Sequence, residues 1–201
     1  MQTKFFKRVA LVFAVAGSVA LPLAAQAQEG PWLVRVRAVN LDSANKDTTG
    51  LDLSINNKVI PEVDISYFFT PQIAAELILT YPQKHTLKAG DTEIGTLKHL
   101  PPTLTAQYHF TQFGAFKPYL GAGINYTHFS GVNLPAGVDI DRDSYGPAVQ
   151  IGFDYEVAKN TYLNFDVKKV KISTDVSAGG ATIGEFKVDP LLVGIGIGRR
   201  F

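Results

Sequence analysis

The chain has 201 residues, 18% charged, 46% hydrophobic and 11% aromatic, with a mean hydropathy of +0.07, so it carries too much apolar surface to remain disordered. Nineteen Lys and Arg stand against 18 Asp and Glu, which leaves no cationic excess for binding nucleic acid through its phosphates. Cysteine is absent, and disulfides, thiolate metal sites and cysteine nucleophiles go with it.

At the start, Lys4, Lys7 and Arg8 precede an uncharged run over 9–25 that closes on Ala25-Gln26-Ala27. That order is the pattern of a secretory signal peptide cleaved after Ala27. Gly17, Ser18 and Pro22 interrupt the run, and its most apolar part, 9–16, is too short to span a bilayer as a helix. The expected organisation is a signal peptide over 1–27 and one domain over 28–201. Further on, the longest uncharged run, 118–138, is broken by Gly, Pro, Asn, Ser and His, so a helical bundle in an inner membrane is excluded. Export without a spanning helix leaves two classes, a soluble secreted domain or an outer-membrane barrel.

Strand periodicity separates them. In Trp32-Leu33-Val34-Arg35-Val36-Arg37-Ala38-Val39 apolar residues occupy one face while Arg35 and Arg37 share the other. The same alternation recurs in Pro61-Glu62-Val63-Asp64-Ile65-Ser66-Tyr67, in Thr103-Leu104-Thr105-Ala106-Gln107-Tyr108-His109-Phe110 and in Leu163-Asn164-Phe165-Asp166-Val167-Lys168. Weaker strands lie over 73–81, 118–127, 145–155 and 188–201. Connections of a few residues, 70–72, 111–116 and 156–160, alternate with long ones, 42–59, 82–102, 128–144 and 173–187. Strict alternation of short and long connections is the signature of an eight-stranded, up-and-down, antiparallel transmembrane β-barrel with periplasmic termini, short turns below and long loops outside. Aromatic residues agree: Trp32, Tyr67, Phe69, Tyr108, Phe110, Tyr155 and Phe201 fall at one set of strand ends and Tyr81, Tyr126 and Tyr145 at the other. A lipocalin-like soluble barrel would turn these faces inside out, and its exterior would need more charge than this chain carries.

An eight-stranded barrel is too narrow for a wide aqueous pore. Its lower interior would hold Arg35, Arg37, Glu62, Asp64, Glu76, Gln107, His109, Asp166, Lys168 and Arg200. Ionised groups in such a place need partners. Arg35 and Arg37 are expected to pair with Asp64 and Glu62, with Arg200 joining from the last strand, which makes a polar plug. Toward the loop end the inward positions become Val39, Leu41, Ile78 and Leu192, a hydrophobic lumen that opens as a funnel. A small hydrophobic solute admitted there would have to leave sideways, and Pro61, Pro118, Pro147 and Pro190, each lacking a ladder donor, are candidate edges of a lateral gap.

Several stretches carry a family likeness: Trp32-Leu33-Val34-Arg35-Val36-Arg37-Ala38, 60–71, Ile73-Ala74-Ala75-Glu76, 98–104, Tyr108-His109-Phe110, 116–123 and the terminal 189–201. Over the whole of 28–201 the chain resembles the outer membrane protein W family, including its alkane-import relatives of the AlkL type. The resemblance implies a narrow hydrophobic channel in the outer membrane of a Gram-negative bacterium, with lateral release a further possibility of the same design. It also implies that Phe201 is the carboxyl-terminal signal read by the barrel-assembly machinery. Expected partners are outer-membrane lipid and lipopolysaccharide, small hydrophobic solutes and that machinery. A second reading is a structural or surface-receptor barrel without transport. A third is a lipid-modifying barrel enzyme, resting on His128-Phe129-Ser130 with Asp139 or Asp141 to orient the histidine, for which no oxyanion hole is evident. His85 and His99 lie too far apart in sequence to support a metal site, and neither a cofactor nor a metal is expected.

Overall fold

The computed structural model describes residues 30–201; the leader predicted over 1–27 lies outside the described residues. In chain order the strands are β1 (Trp32–Asp42), β2 (Lys46–Asp47), β3 (Leu53–Ile55), β4 (Lys58–Phe68), β5 (Ile73–Leu79), β6 (Gln83–Ala89), β7 (Thr92–Leu100), β8 (Thr103–His109), β9 (Phe116–Asn133), β10 (Val138–Ile140), β11 (Asp143–Ala158), β12 (Thr161–Val170), β13 (Ser173–Ala178), β14 (Ala181–Lys187) and β15 (Leu191–Arg200).

Eight of them, β1, β4, β5, β8, β9, β11, β12 and β15, pair antiparallel with their neighbours in that order, and β15 returns to β1, so the sheet closes on itself. Closure is what allows strands to cross hydrocarbon, because it leaves no unpaired edge in the ring. The wall's exterior is aliphatic at mid-height, with Val36, Val63, Leu77, Leu104, Leu120, Ile124, Ile151 and Ile197 exposed. Aromatics bound this band. Trp32, Tyr67 and Phe69 form an edge-to-face row with ring centroids 4.8 and 5.1 Å apart, and Tyr108 meets Phe110 at 5.1 Å near the same end, where Phe201 also lies. At the opposite end Tyr126 and Tyr145 lie 5.0 Å apart.

The ends differ in construction. Connections at the end carrying the termini span 69–72, 110–115 and 159–160, the last shorter than the sequence suggests because β11 continues through Ala158 past a bulge at Glu156. At the other end the stretches expected as loops are mostly strand. β9 has 18 residues, which at about 3.3 Å per residue is about 60 Å, twice the ~30 Å hydrocarbon thickness. The wall therefore continues past the membrane as two extensions, β7, β6 and β3 built onto β9, and a separate sheet ordered β10, β13, β14, β2. Tight hairpins return the chain: Gly179 and Gly180 both adopt positive φ between β13 and β14, the conformation a two-residue turn needs. The physical reason for strand in place of loop is that these segments also alternate, burying Leu53, Ile55, Leu87, Leu97, Phe129, Ile140, Val176 and Phe186 in one cluster with Val39, Leu41 and Leu192.

Candidate functional site

The barrel axis is filled by two chemically distinct layers. The lower one begins on β1. Register places Arg35 opposite Asp64 and Arg37 opposite Glu62 on β4, and all four are buried, Arg35 and Asp64 with no measurable exposure. Arg35 is bidentate to Asp154, Nε donating at 3.0 Å and Nη2 at 2.7 Å, while its Nη1 lies 2.7 Å from Asp64 and donates to Ser66 at 3.0 Å. Arg37 reaches Glu62 at 3.0 Å, Asp64 at 2.6 Å and Glu76 at 2.7 Å. Lys168 joins Glu62 at 3.2 Å and Asp166 at 3.5 Å. Neutral donors reach further carboxylate oxygens: Tyr119 OH donates to Asp166 at 2.8 Å, and Gln107 and Gln150 donate to Glu76 at 2.8 and 2.6 Å. Buried ions survive only when partners replace their hydration, and here each carboxylate meets a cation.

Room for two arginines in so narrow a tube comes from glycine on the facing strand. Gly196 and Gly198 of β15 stand beside Arg37 and Arg35, where an added Cβ would fall 2.8 Å from Arg37 Cγ and 3.0 Å from Arg35 Cγ. Gly152 likewise admits the Tyr119 ring, since a Cβ there would lie 2.5 Å from its hydroxyl. His109 is buried just below, its Nε2 2.9 Å from Gln107 Oε1 and its ring 5.0 Å from Tyr119. Arg200, expected to join the plug, instead sits nearer the mouth, with Nε donating to the Gly30 carbonyl at 2.9 Å and its guanidinium 4.1 Å over Phe68, while Lys168 supplies the third cation of the layer. A concavity of about 320 Å³ opens below the plug beside Phe68, His109, Lys117 and Arg200.

Above Arg37 the same strand turns apolar. Val39, Leu41, Ile78 and Leu192 are all buried. Leu41, Ile78 and Leu192, together with Ile60, Pro101, Thr103, Val170, Ile172 and His99, line a cavity of about 20 Å³ whose floor is Glu62 and Lys168. A second cavity of about 50 Å³ lies among Leu53, Leu87, Leu97, Leu134, Ile140 and Phe186. The open funnel expected from the sequence is thus a packed apolar column, because the extension hairpins send their own side chains into the axis.

The column abuts a weak point in the wall. Pairing between β4 and β5 runs from Phe68 opposite Ala74 to Val63 opposite Leu79 and stops there. Lys58 to Glu62 are laddered only to β1, with the Thr80 hydroxyl donating to the Pro61 carbonyl at 2.8 Å. Of the four prolines singled out in sequence, Pro61 lies within this unladdered stretch. The carbonyls of Pro118, Pro147 and Pro190 instead accept from the amides of Phe110, Lys171 and Val170.

Three features of the structure differ from the sequence reading or escape it. Asp154, the bidentate partner of Arg35, belongs to a strand whose alternation Gly146 and Gly152 blur, although its inward parity with Gln150 was readable. His128 meets Asp143 at 2.9 Å, while Asp139 pairs with Arg142 at 2.7 Å, so the carboxylate that orients that histidine is Asp143, not Asp139 or Asp141. His85 and His99, distant in sequence, meet with ring centroids 4.6 Å apart, because the β6–β7 register sets Gln83 opposite His99 and His85 opposite Leu97. His85 Nδ1 donates to the Asn56 carbonyl at 2.9 Å, since a carbonyl can only accept. Burial holds these two rings neutral, His85 down to about 4 and His99 to about 3, with Lys58 adding to both. Both lie on the extension, beyond the aromatic row. Among the described residues no cluster of three His, Asp, Glu or Cys is assembled for a metal.

A closed wall with lipid-facing aliphatics between aromatic rows, and charge confined to its axis, defines a transmembrane β-barrel of the outer-membrane type. The OmpW family model matches residues 28–201, and the chain belongs to that family. It is 47% identical to the uncharacterised outer-membrane protein y4mB of Sinorhizobium fredii, over 94% of this chain and 90% of that protein. It is 33% identical to outer membrane protein W of Vibrio cholerae, over 87% and 90%. The crystal structure of the outer membrane protein OprG from Pseudomonas aeruginosa superposes with a TM-score of 0.73 at 24% identity, covering 88% of this chain and 98% of that one. The chain is therefore an outer-membrane barrel of a Gram-negative bacterium.

Proposed function

We propose that the barrel carries small hydrophobic molecules across the outer membrane, taking them in at the loop end and releasing them sideways through the β4–β5 seam. The termini then face the periplasm. One observation carries the reading: directly above Glu62 and Lys168 the lumen changes from fully ion-paired to aliphatic, and that aliphatic cavity is bounded by Ile60, Ile78 and Thr80, residues on both sides of the seam. A solute descending the axis meets buried charge that it cannot solvate, so the lower-cost route is outward between strands. Passage requires the packed side chains to move aside, which the sparse ladder at the seam permits. Phe201, whose amide donates to the Trp32 carbonyl at 2.8 Å at the barrel's end, would serve the assembly machinery, and the exposed Lys169 and Lys171 would face lipopolysaccharide.

The test uses a chain with no native cysteine. A disulfide between Pro61→Cys and Tyr81→Cys, both on the outer face and in line with the Val63–Leu79 register, bridges the seam. Oxidation is expected to lower uptake of a hydrophobic solute into whole cells about tenfold, reversed by reductant. Uptake equal to that of cells without the barrel, in both redox states and in the unmodified chain, would instead support a passive surface barrel.

A further inference from the structure

The hydrocarbon-like column contains a buried histidine that the channel reading leaves unused. His99 is fully buried on β7 and lines the cavity above the plug. Neither of its ring nitrogens has a hydrogen-bond partner among the described residues, and His85 Nε2, in the touching ring, also has none. Buried polar groups in native proteins are nearly always paired, so nitrogens placed beside a cavity point to an occupant. The space is about 20 Å³, about the room one water needs, and so the room of a single hydroxyl.

The surroundings select the occupant's chemistry. In the floor Lys168 and Glu62 are taken up by each other at 3.2 Å, and Lys58 acts on both rings, so no free anion faces the cavity to hold a cation. A neutral imidazole offers one donor and one acceptor, and a hydroxyl offers the same two. Thr80 and Thr103 add polar oxygens to a wall that above its ion-paired floor is mainly aliphatic, with Leu41, Ile60, Ile78 and Leu192 among its residues. We infer that His99 is a head-group site for a hydroxyl, so that the preferred solute is a hydrophobic molecule with one oxygenated end, an alcohol or phenol, ahead of the plain hydrocarbon of the same length. This rests on the channel reading above and narrows its substrate class.

The experiment compares barrel-dependent uptake of 1-octanol and n-octane in cells producing the unaltered chain, His99→Phe or His99→Gln, with heat-modifiable folding checked for each. Phenylalanine keeps a ring beside Phe129, whose centroid is 6.4 Å away, and removes both nitrogens. The octanol-to-octane ratio is expected to fall about five- to tenfold in His99→Phe, the worth of one hydrogen bond in a dry site, and to be largely kept in His99→Gln. In the unaltered chain, the ring ¹⁵N resonances of His99 should move on titration with 1-octanol and stay still with n-octane. An unchanged ratio with uptake intact, or resonances indifferent to the alcohol, would mean the cavity holds water only and would overturn this inference alone. Absence of uptake of either solute by the unaltered chain would overturn the channel reading and this one together. Should His99→Phe fail to fold, the titration and His99→Gln decide.

Discussion

The two halves of the lumen are built from the same strands by different rules. On β1 the inward residues are Arg35 and Arg37, then Val39 and Leu41, and on β12 Lys168 is followed by Val170. Below the change, each charge is matched by residues on neighbouring or facing staves, so the layer is fixed by barrel register. Above it, the apolar residues of the staves meet side chains delivered by distant hairpins, Leu53, Leu87, Leu97, Phe129 and Phe186 among them. The lower half is specified residue by residue and tolerates little; the upper half is specified by volume and polarity and can yield. A gate belongs in the second kind of material.

The sharpest way to break this contrast is Arg35→Met. It takes the bidentate cation from Asp154 and leaves Asp64 to Arg37 alone, and removing one partner of a buried ion network costs about 3–5 kcal/mol. A large drop in the urea midpoint of the heat-modifiable form is expected, and an unchanged midpoint would show that the plug is not a stability element. Leu97→Ala, in the upper half, removes a fully buried side chain and should cost about 2–4 kcal/mol. The loss should appear as faster hydrogen exchange over β6 and β7, with β1 and β4 unaltered.

Acid should act in the same upper region. His85 and His99 are lowered to about 4 and about 3 in the folded chain, below the ordinary histidine value of about 6.5. The unfolded extension therefore binds more protons, stability is fully present above about pH 6.5, and it is lost as pH falls toward 4 and 3, by about 1.4 kcal/mol per unit for each ring. Exchange corrected for intrinsic rate should quicken in β6 and β7 between pH 6.5 and 4, and His99→Phe should remove part of that slope. The smallest effect is expected at Arg142→Ala, which breaks an exposed pair with Asp139 of 2.7 Å. Exposed pairs of this kind contribute little, and a resolvable midpoint shift would mean the outer tips carry part of the stability.

Alternation on Trp32 to Val39, Pro61 to Tyr67 and Leu163 to Lys168 is enough by itself to name the barrel, its inward charges and its aromatic rows, because a strand's two faces are written directly into residue parity. Even the pairing of Arg35 and Arg37 with β4 is readable, since the inward faces of these neighbouring strands carry opposite charges, Arg35 and Arg37 against Glu62 and Asp64, and buried ions need partners. Asp154 opposite Arg35, the meeting of His85 with His99, the packing of the funnel and the unladdered stretch beside Pro61 are decided only in three dimensions. Each depends on which segments share a layer once the ring has closed and the hairpins have found their register, and the alternation within one strand carries no information about which residues of another strand it will meet.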